Sequence, residues 1–243
     1  MEFEDDAFIL SARPFGEAGA IIELITRRHG KYAAHVAGAA SRRMKSHLQT
    51  GARVTARFRA RTAEQLGSAS LEPIGEGPAA LFDDRLALAG LASAAAIVAG
   101  ALPEREPHPG VFLGLEAFIA ALAAPDVWPP VYVRFEAALL ADLGFGLDLS
   151  RCAVTGVADD LAYVSPRTGR AVSAAAGEAY RDRLLPLPRF LLSAQGGLAE
   201  GDVAAGLAIT GHFLERFVFA PLNRPLPAAR HWLADRLAEA GRL

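Results

Sequence analysis

Acidic residues are missing where basic ones are densest. Between Arg27 and Arg61 there is no Asp or Glu, although the chain carries 27 acidic and 25 basic residues for a net charge of −2. The same stretch holds ten Lys or Arg and three His, so positive charge is sorted into one segment. Cysteine is almost absent: Cys152 stands alone, which excludes an internal disulfide framework and a thiolate-built zinc site and fits a reducing compartment. Long hydrophobic runs are also missing. The longest uncharged run considered, residues 86–103, has 18 residues with eight Ala and two Gly; a membrane span needs about 20 predominantly apolar residues, so this run reads as a buried core helix. The acidic start Met1-Glu2-Phe3-Glu4-Asp5-Asp6 lacks the basic n-region of a secretory signal. Those absences point to a soluble, cytoplasmic protein without a membrane partner.

Catalytic signatures are missing as well. No Gly-x-x-x-x-Gly-Lys-Ser/Thr loop, strand-following Gly-x-Gly-x-x-Gly, Gly-x-Ser-x-Gly elbow or His-Glu-x-x-His occurs. Cys152 has no histidine near it in sequence, since none lies between His108 and His212, and it reads as a packing residue. The pairs Asp83-Asp84 and Asp159-Asp160 read as a helix cap and a turn rather than hydrolytic carboxylates. His108, His212 and His231 read as structural. The chain is therefore expected to be non-enzymatic, with no cofactor and no metal.

What is present begins with β-patterned segments. Residues 53–61 alternate strictly: Val54, Ala56, Phe58 and Ala60 fall on one side, and Arg53, Thr55, Arg57, Arg59 and Arg61 on the other. This is the period-2 signature of a half-buried strand. Its arginine stripe would run about 27 Å, and guanidinium forks suit phosphates. A solvated edge strand that deters aggregation is the bland alternative. Runs 7–13, 20–27, 32–37 and 67–72 read as further strands, with Gly30 in a hairpin turn. Five strands in some 70 residues match a small Greek-key barrel such as the OB-fold.

Residues 73–78, Pro-Ile-Gly-Glu-Gly-Pro, read as a linker, and beyond them the chain turns helical. Asp83 or Asp84 caps a helix reaching about Gly100. Residues 111–123, 130–143, 202–219 and 228–240 complete a bundle. A non-helical insert, 149–173, suggests a ribbon with strands near 162–164 and 170–172. The expected class is thus α+β and multidomain: a nucleic-acid-binding OB-fold at 1–75 and a helical domain at 76–243. Charge divides similarly, with +2 over residues 1–80 and −4 over 81–243.

The loop 39–47 places Arg42, Arg43 and Lys45 beside Ser41, Ser46 and His47. Such a segment suits a phosphate backbone, whose electrostatics dominate affinity and make it salt-sensitive. Few side chains suited to base readout accompany it, so little sequence specificity is expected. The candidate DNA-binding residues are Arg27, Arg28, Lys31, Arg42, Arg43, Lys45, His47, Arg53, Arg57, Arg59 and Arg61. His29 and His35 can add phosphate or base contacts. Tyr32 and Phe58 are the aromatics considered for base stacking, Phe58 being expected in the core.

The run Phe15-Gly16-Glu17, Ile22, Leu24, Thr26, Gly30, Gly38-Ala39, Arg42, Arg43 and Lys45-Ser46, followed by Phe135-Glu136, Leu139-Leu140 and Leu143-Gly144-Phe145, resembles the RecO family of bacterial DNA repair and recombination proteins over essentially the whole chain. The resemblance implies an OB-fold followed by a helical domain. It also implies a mediator, nucleoid-associated, that binds single- and double-stranded DNA, anneals complementary strands, and with RecR helps RecA displace single-stranded-DNA-binding protein (SSB). Several members carry a four-cysteine zinc ribbon. Here Cys152 remains and Thr155 stands at the second cysteine position, which implies a degenerate ribbon without metal. An acidic SSB tail would dock on the helical domain, with Arg134 as the candidate cation. The rival expectation is an interaction adaptor whose basic barrel binds an acidic partner protein and leaves DNA to that partner.

Overall fold

Alternation and turn chemistry build the first 73 residues of the chain as a barrel. The computed structural model describes residues 1–45, 47–62, 65–75, 77–81, 83–193 and 195–243, with the backbone alone at 42, 43, 79 and 80. Strands β1 (Glu2–Phe15), β2 (Gly19–Thr26) and β3 (Gly30–Val36) are followed by a short helix α1 (Arg42–Lys45), then β4 (Arg53–Arg59) and β5 (Gly67–Pro73). They close in the order β1-β2-β3-β5-β4, with β4 returning to β1 and β3 parallel to β5, the arrangement of an OB-type barrel.

The 14-residue β1 serves both neighbours. Residues 2–8 pair with β4 and residues 7–15 with β2, across a register shift between Ile9 and Ser11. A bulge of this kind bends the strand and raises its twist, which is what closure requires. Ile9, Ile22, Leu24, Val54 and Leu71 fill the interior. Phe3, Tyr32 and Phe58 form an aromatic trio with centroids 4.9–5.1 Å apart, and the His29 ring stacks on Phe3 at 4.0 Å. Tyr32 is buried with Phe58, so neither presents a face for stacking. That corrects the expectation for Tyr32.

Two compact units divide the chain, Met1–Ala123 and Ala124–Leu243. The composition change at 73–78 falls inside the first. It leads through a 3-10 turn (Gly77–Leu81) into α2 (Arg85–Ala101) and α3 (Pro109–Ala121). Asp84 caps α2, its Oδ1 accepting from the N–H groups of Leu86 and Ala87 at 2.9 Å. Both helices bury apolar side chains against the barrel: Phe112 meets Phe8 at 5.0 Å, and Leu91 lies where a Cβ on Gly51 would stand (φ +82).

The second unit contains α4 (Trp128–Asp142), strands β6 (Leu161–Val164) and β7 (Ala171–Ser173), α5 (Ala174–Gly177), β8 (Leu185–Pro186), α6 (Arg189–Leu192), α7 (Asp202–Phe213) and α8 (Ala228–Glu239). Prolines 129 and 130 sit in the first turn of α4, where their missing N–H groups cost nothing. The helix from α7 runs on through a π turn, Leu214–Phe219. The stretch Asp202–Leu222 is long and apolar enough by composition to span a bilayer, but half of its apolar window is buried within the fold. It packs against α4 instead. There Glu136 is wholly buried; Arg230 Nε donates to it at 2.5 Å, and Thr210 Oγ1 also donates at 2.5 Å.

The insert is a three-stranded sheet, β7-β6-β8. Its two turns repeat one pattern. Cys152 N–H donates to Val157 O and Gly156 N–H to Cys152 O; Ser165 N–H donates to Arg170 O and Gly169 N–H to Ser165 O. Gly156 and Gly169 have positive φ at matching positions, where a Cβ would be strained.

Candidate nucleic-acid interface

The alternating arginines of β4 point outward as their spacing requires, but they are not bare. Antiparallel pairing sets Glu2 opposite Arg59, Glu4 opposite Arg57 and Asp6 close to Arg53. The side chains follow: Arg59 Nε to Glu2 at 2.8 Å, Arg57 to Glu4 at 2.6 Å, and Arg53 to Asp6 at 2.5 Å, with Glu116 of α3 also at 2.5 Å from Arg53. At Arg53, Arg57 and Arg59 the arginine stripe is therefore a row of ion pairs. Pairs this exposed add little stability. They do cancel the field that would draw in a polyanion from beyond a Debye length, about 8–10 Å.

The turn before β3 behaves similarly. Asp5 is buried, and receives the Arg28 N–H (2.8 Å), the Arg28 Nε (3.2 Å) and the Asp6 N–H (2.9 Å), with His29 Nδ1 at 2.7 Å. Burial opposes its ionisation, but the contacts with His29, Arg28 and Asp6 outweigh it and hold the carboxyl below the usual aspartate range. Lys31 is only 8% exposed and donates to Ala99 O. Arg27 is exposed, its guanidinium 5.9 Å from the Phe112 ring centroid.

Free cations lie elsewhere, at the mouth of the barrel. The segment between β3 and β4 folds back over that end. Met44 and Leu48 pack on the barrel core, and Ala40 N–H donates to Ala18 O in the β1–β2 turn. This anchorage lifts α1, which carries Arg42, Arg43 and Lys45, along one side of a cleft of about 280 Å³. The opposite wall is the β1–β2 hairpin with Arg13, Gly16 and Gly19. Glu17 also lines it. Lys45 and Arg13 are exposed there, as is Arg61 at the opposite end of β1 beside Met1, and among the described residues none of the three pairs with an acid. His47 follows α1 and is half-buried.

The eleven expected residues thus separate. Lys45 lines the mouth, with Arg42 and Arg43 earlier in the α1 backbone and His47 just after it; Arg53, Arg57 and Arg59 form the paired row; Arg27, Arg28 and Lys31 cluster at the β2–β3 turn; Arg61 lies just past β4. Arg13 was missed. It is the sole basic residue before Arg27 and sits next to the Pro14-Phe15-Gly16 turn, a signal legible in advance. In the second unit Arg134 donates to Phe190 O and Ser193 O at 2.8–3.1 Å and lies over the Phe190 ring. It ties α4 to the segment around α6.

The ribbon does not fit a zinc ion. Its one thiol, Cys152, is buried, and its Sγ receives the Ser173 N–H at 3.3 Å and Ser173 Oγ at 3.4 Å. Hydrogen bonds from Ser173 and Thr155 pull the thiol down to about 6. Hydroxyl groups surround a sulfur where zinc would demand further thiolates or imidazoles. Among the described residues no group of three His, Cys, Asp or Glu could hold a metal.

A closed barrel of OB topology with a basic mouth, followed by a helical unit bearing a small ribbon, defines an OB-fold protein of α+β class. Comparison with known proteins gives it a family. Residues 1–75 match the family model "Recombination protein O N terminal" and residues 83–225 "Recombination protein O C terminal". The chain is 73% identical to a DNA repair protein RecO from Phenylobacterium zucineum and 72% identical to one from Caulobacter sp. strain K31, each across the full length of both chains. It is 53% identical over 242 residues to the RecO of Rhodospirillum centenum, covering 99% of this chain and 96% of that one. The chain belongs to the RecO family of DNA repair proteins.

Proposed function

We propose that this protein is a non-enzymatic mediator that binds single- and double-stranded DNA, anneals complementary strands, and with RecR helps load RecA onto SSB-coated DNA. The observation that carries this reading is Arg13 and Lys45 at the barrel mouth, unpaired with any acid among the described residues, in a chain of the RecO family. Residues 1–75 carry DNA in this reading, chiefly through Arg13, Arg42, Arg43 and Lys45, with His47 beside them and Arg61 at the opposite end of β1, next to Met1. Phosphates neutralised on two strands repel one another less, and a site that holds backbones more than base edges leaves bases free to pair. Residues 76–243 dock partners, Arg134 being the candidate cation for the acidic SSB tail.

The test is annealing of two complementary oligonucleotides, each coated with SSB from the same organism. Acceleration by the protein, lost in Arg13→Gln/Lys45→Gln, is the expected result. Failure of the isolated protein to bind or anneal bare strands would instead favour an adaptor whose barrel meets an acidic protein.

A further inference from the structure

Among the described residues of the barrel, Phe15 is the aromatic side chain left exposed. It ends β1, is 52% exposed, and stands opposite Gly19 in the hairpin register, so β2 offers no side chain directly across from its ring. Among the described residues its aromatic neighbour is His35 on β3, centroids 5.8 Å apart and planes at 72°. Gly19 permits this contact: a Cβ there would stand 2.4 Å from His35 Nε2 and 2.9 Å from Phe15 O. A glycine inside a strand commonly marks such a close approach. The hairpin therefore holds a phenyl ring outward, braced at its side by an imidazole.

An exposed, braced ring gains most from a flat apolar partner, and every nucleobase has a π-face. The surroundings select that partner. Arg13 precedes Phe15 by two strand positions, on the same face and about 6.8 Å along the chain. The same hairpin walls the cleft that Lys45 borders. A cation one step from an aromatic face suits a nucleotide of a single strand, with phosphate on Arg13 and base on Phe15. In a duplex the base faces are stacked on one another and closed to the ring.

We infer that Phe15, braced by His35, is a base-stacking platform for single-stranded DNA at the tip of the β1–β2 hairpin. This rests on the DNA-binding reading above and adds to it a contact with bases. Stacking of this kind tolerates any sequence, and it gives a preference for single over double strands that phosphate contacts alone do not supply.

The test measures affinity for oligo(dT) and for an abasic deoxyribose-phosphate strand of equal length, using the full chain and its Phe15→Leu and Phe15→Trp variants. Leucine keeps apolar bulk and removes the π-face. The expected result is a loss of about fivefold or more on oligo(dT) for Phe15→Leu, recovery in Phe15→Trp, and equal affinity of all three proteins for the abasic strand. Unchanged oligo(dT) affinity in Phe15→Leu, or an equal loss on both strands, would overturn the platform and leave the phosphate site standing. Binding of neither strand by the unaltered protein would overturn both readings.

Discussion

The β4 row and the barrel mouth carry similar numbers of cations, but they differ in what faces them. Arg53, Arg57 and Arg59 each meet a carboxylate of β1. Arg13 and Lys45 meet none among the described residues, and share a cleft. Charge density along a chain therefore says where cations are made, while strand pairing decides which remain available. A run of arginines opposite a run of acids is a zipper between two strands; cations at an open end, facing no such run, are the candidate site.

The largest expected effect lies where a pair has no solvent to replace its partner. Glu136→Ala strands Arg230 in the interior of the second unit and should lower unfolding free energy by about 3–5 kcal/mol, read by chemical denaturation. Smaller, and pH-dependent, is Asp5. Asp5→Asn should cost about 1–3 kcal/mol at neutral pH. Because folding lowers the Asp5 pKa, its contribution is fully present above the unfolded value of about 3.9 and disappears as pH falls through the lower folded value. The stability gap between wild type and variant should narrow as pH falls below the unfolded value; a gap that does not narrow at all with falling pH would place the effect in packing.

Two binding experiments act on the comparison itself. Arg13→Gln/Lys45→Gln should weaken single-strand binding by about tenfold or more and reduce the salt slope by about 1.4, as two lost phosphate contacts require. Arg57→Gln/Arg59→Gln should change affinity by less than about twofold, since paired exposed charges contribute little. Equal losses in the two variants would erase the distinction between row and mouth. The one effect opposite in sign belongs to Glu2→Gln/Glu4→Gln. Unmasking Arg57 and Arg59 should raise low-salt affinity a few-fold and steepen the salt slope by up to about 1.4; no gain would mean that the row lies outside the DNA path.

Much of the fold was legible in the sequence because its signals are local. Strict alternation at 53–61 placed β4, the pair Asp83-Asp84 ahead of an alanine-rich run placed the start of α2 but left the cap open between the two, and Pro166-Arg167-Thr168-Gly169 placed the turn between β6 and β7. The short β8 was not foreseen, since Leu185-Pro186 is too brief to show a period. The candidate site was legible in part. Arg42, Arg43 and Lys45 stood out as a cluster, whereas Arg13 stood alone and gained meaning from the loop folded against its hairpin.

The sequence by itself determined the barrel-then-helix order, the strand faces and the sorting of basic residues into one segment. Each follows from side-chain period, capping or composition within a few residues. Tertiary structure alone decided which charges are free. Glu2 and Arg59 lie 57 residues apart and meet because the bulge and closure of the barrel fix their register. Coulomb attraction depends on distance in space, so the local absence of acids around Arg57 held no information about Glu4 across the sheet.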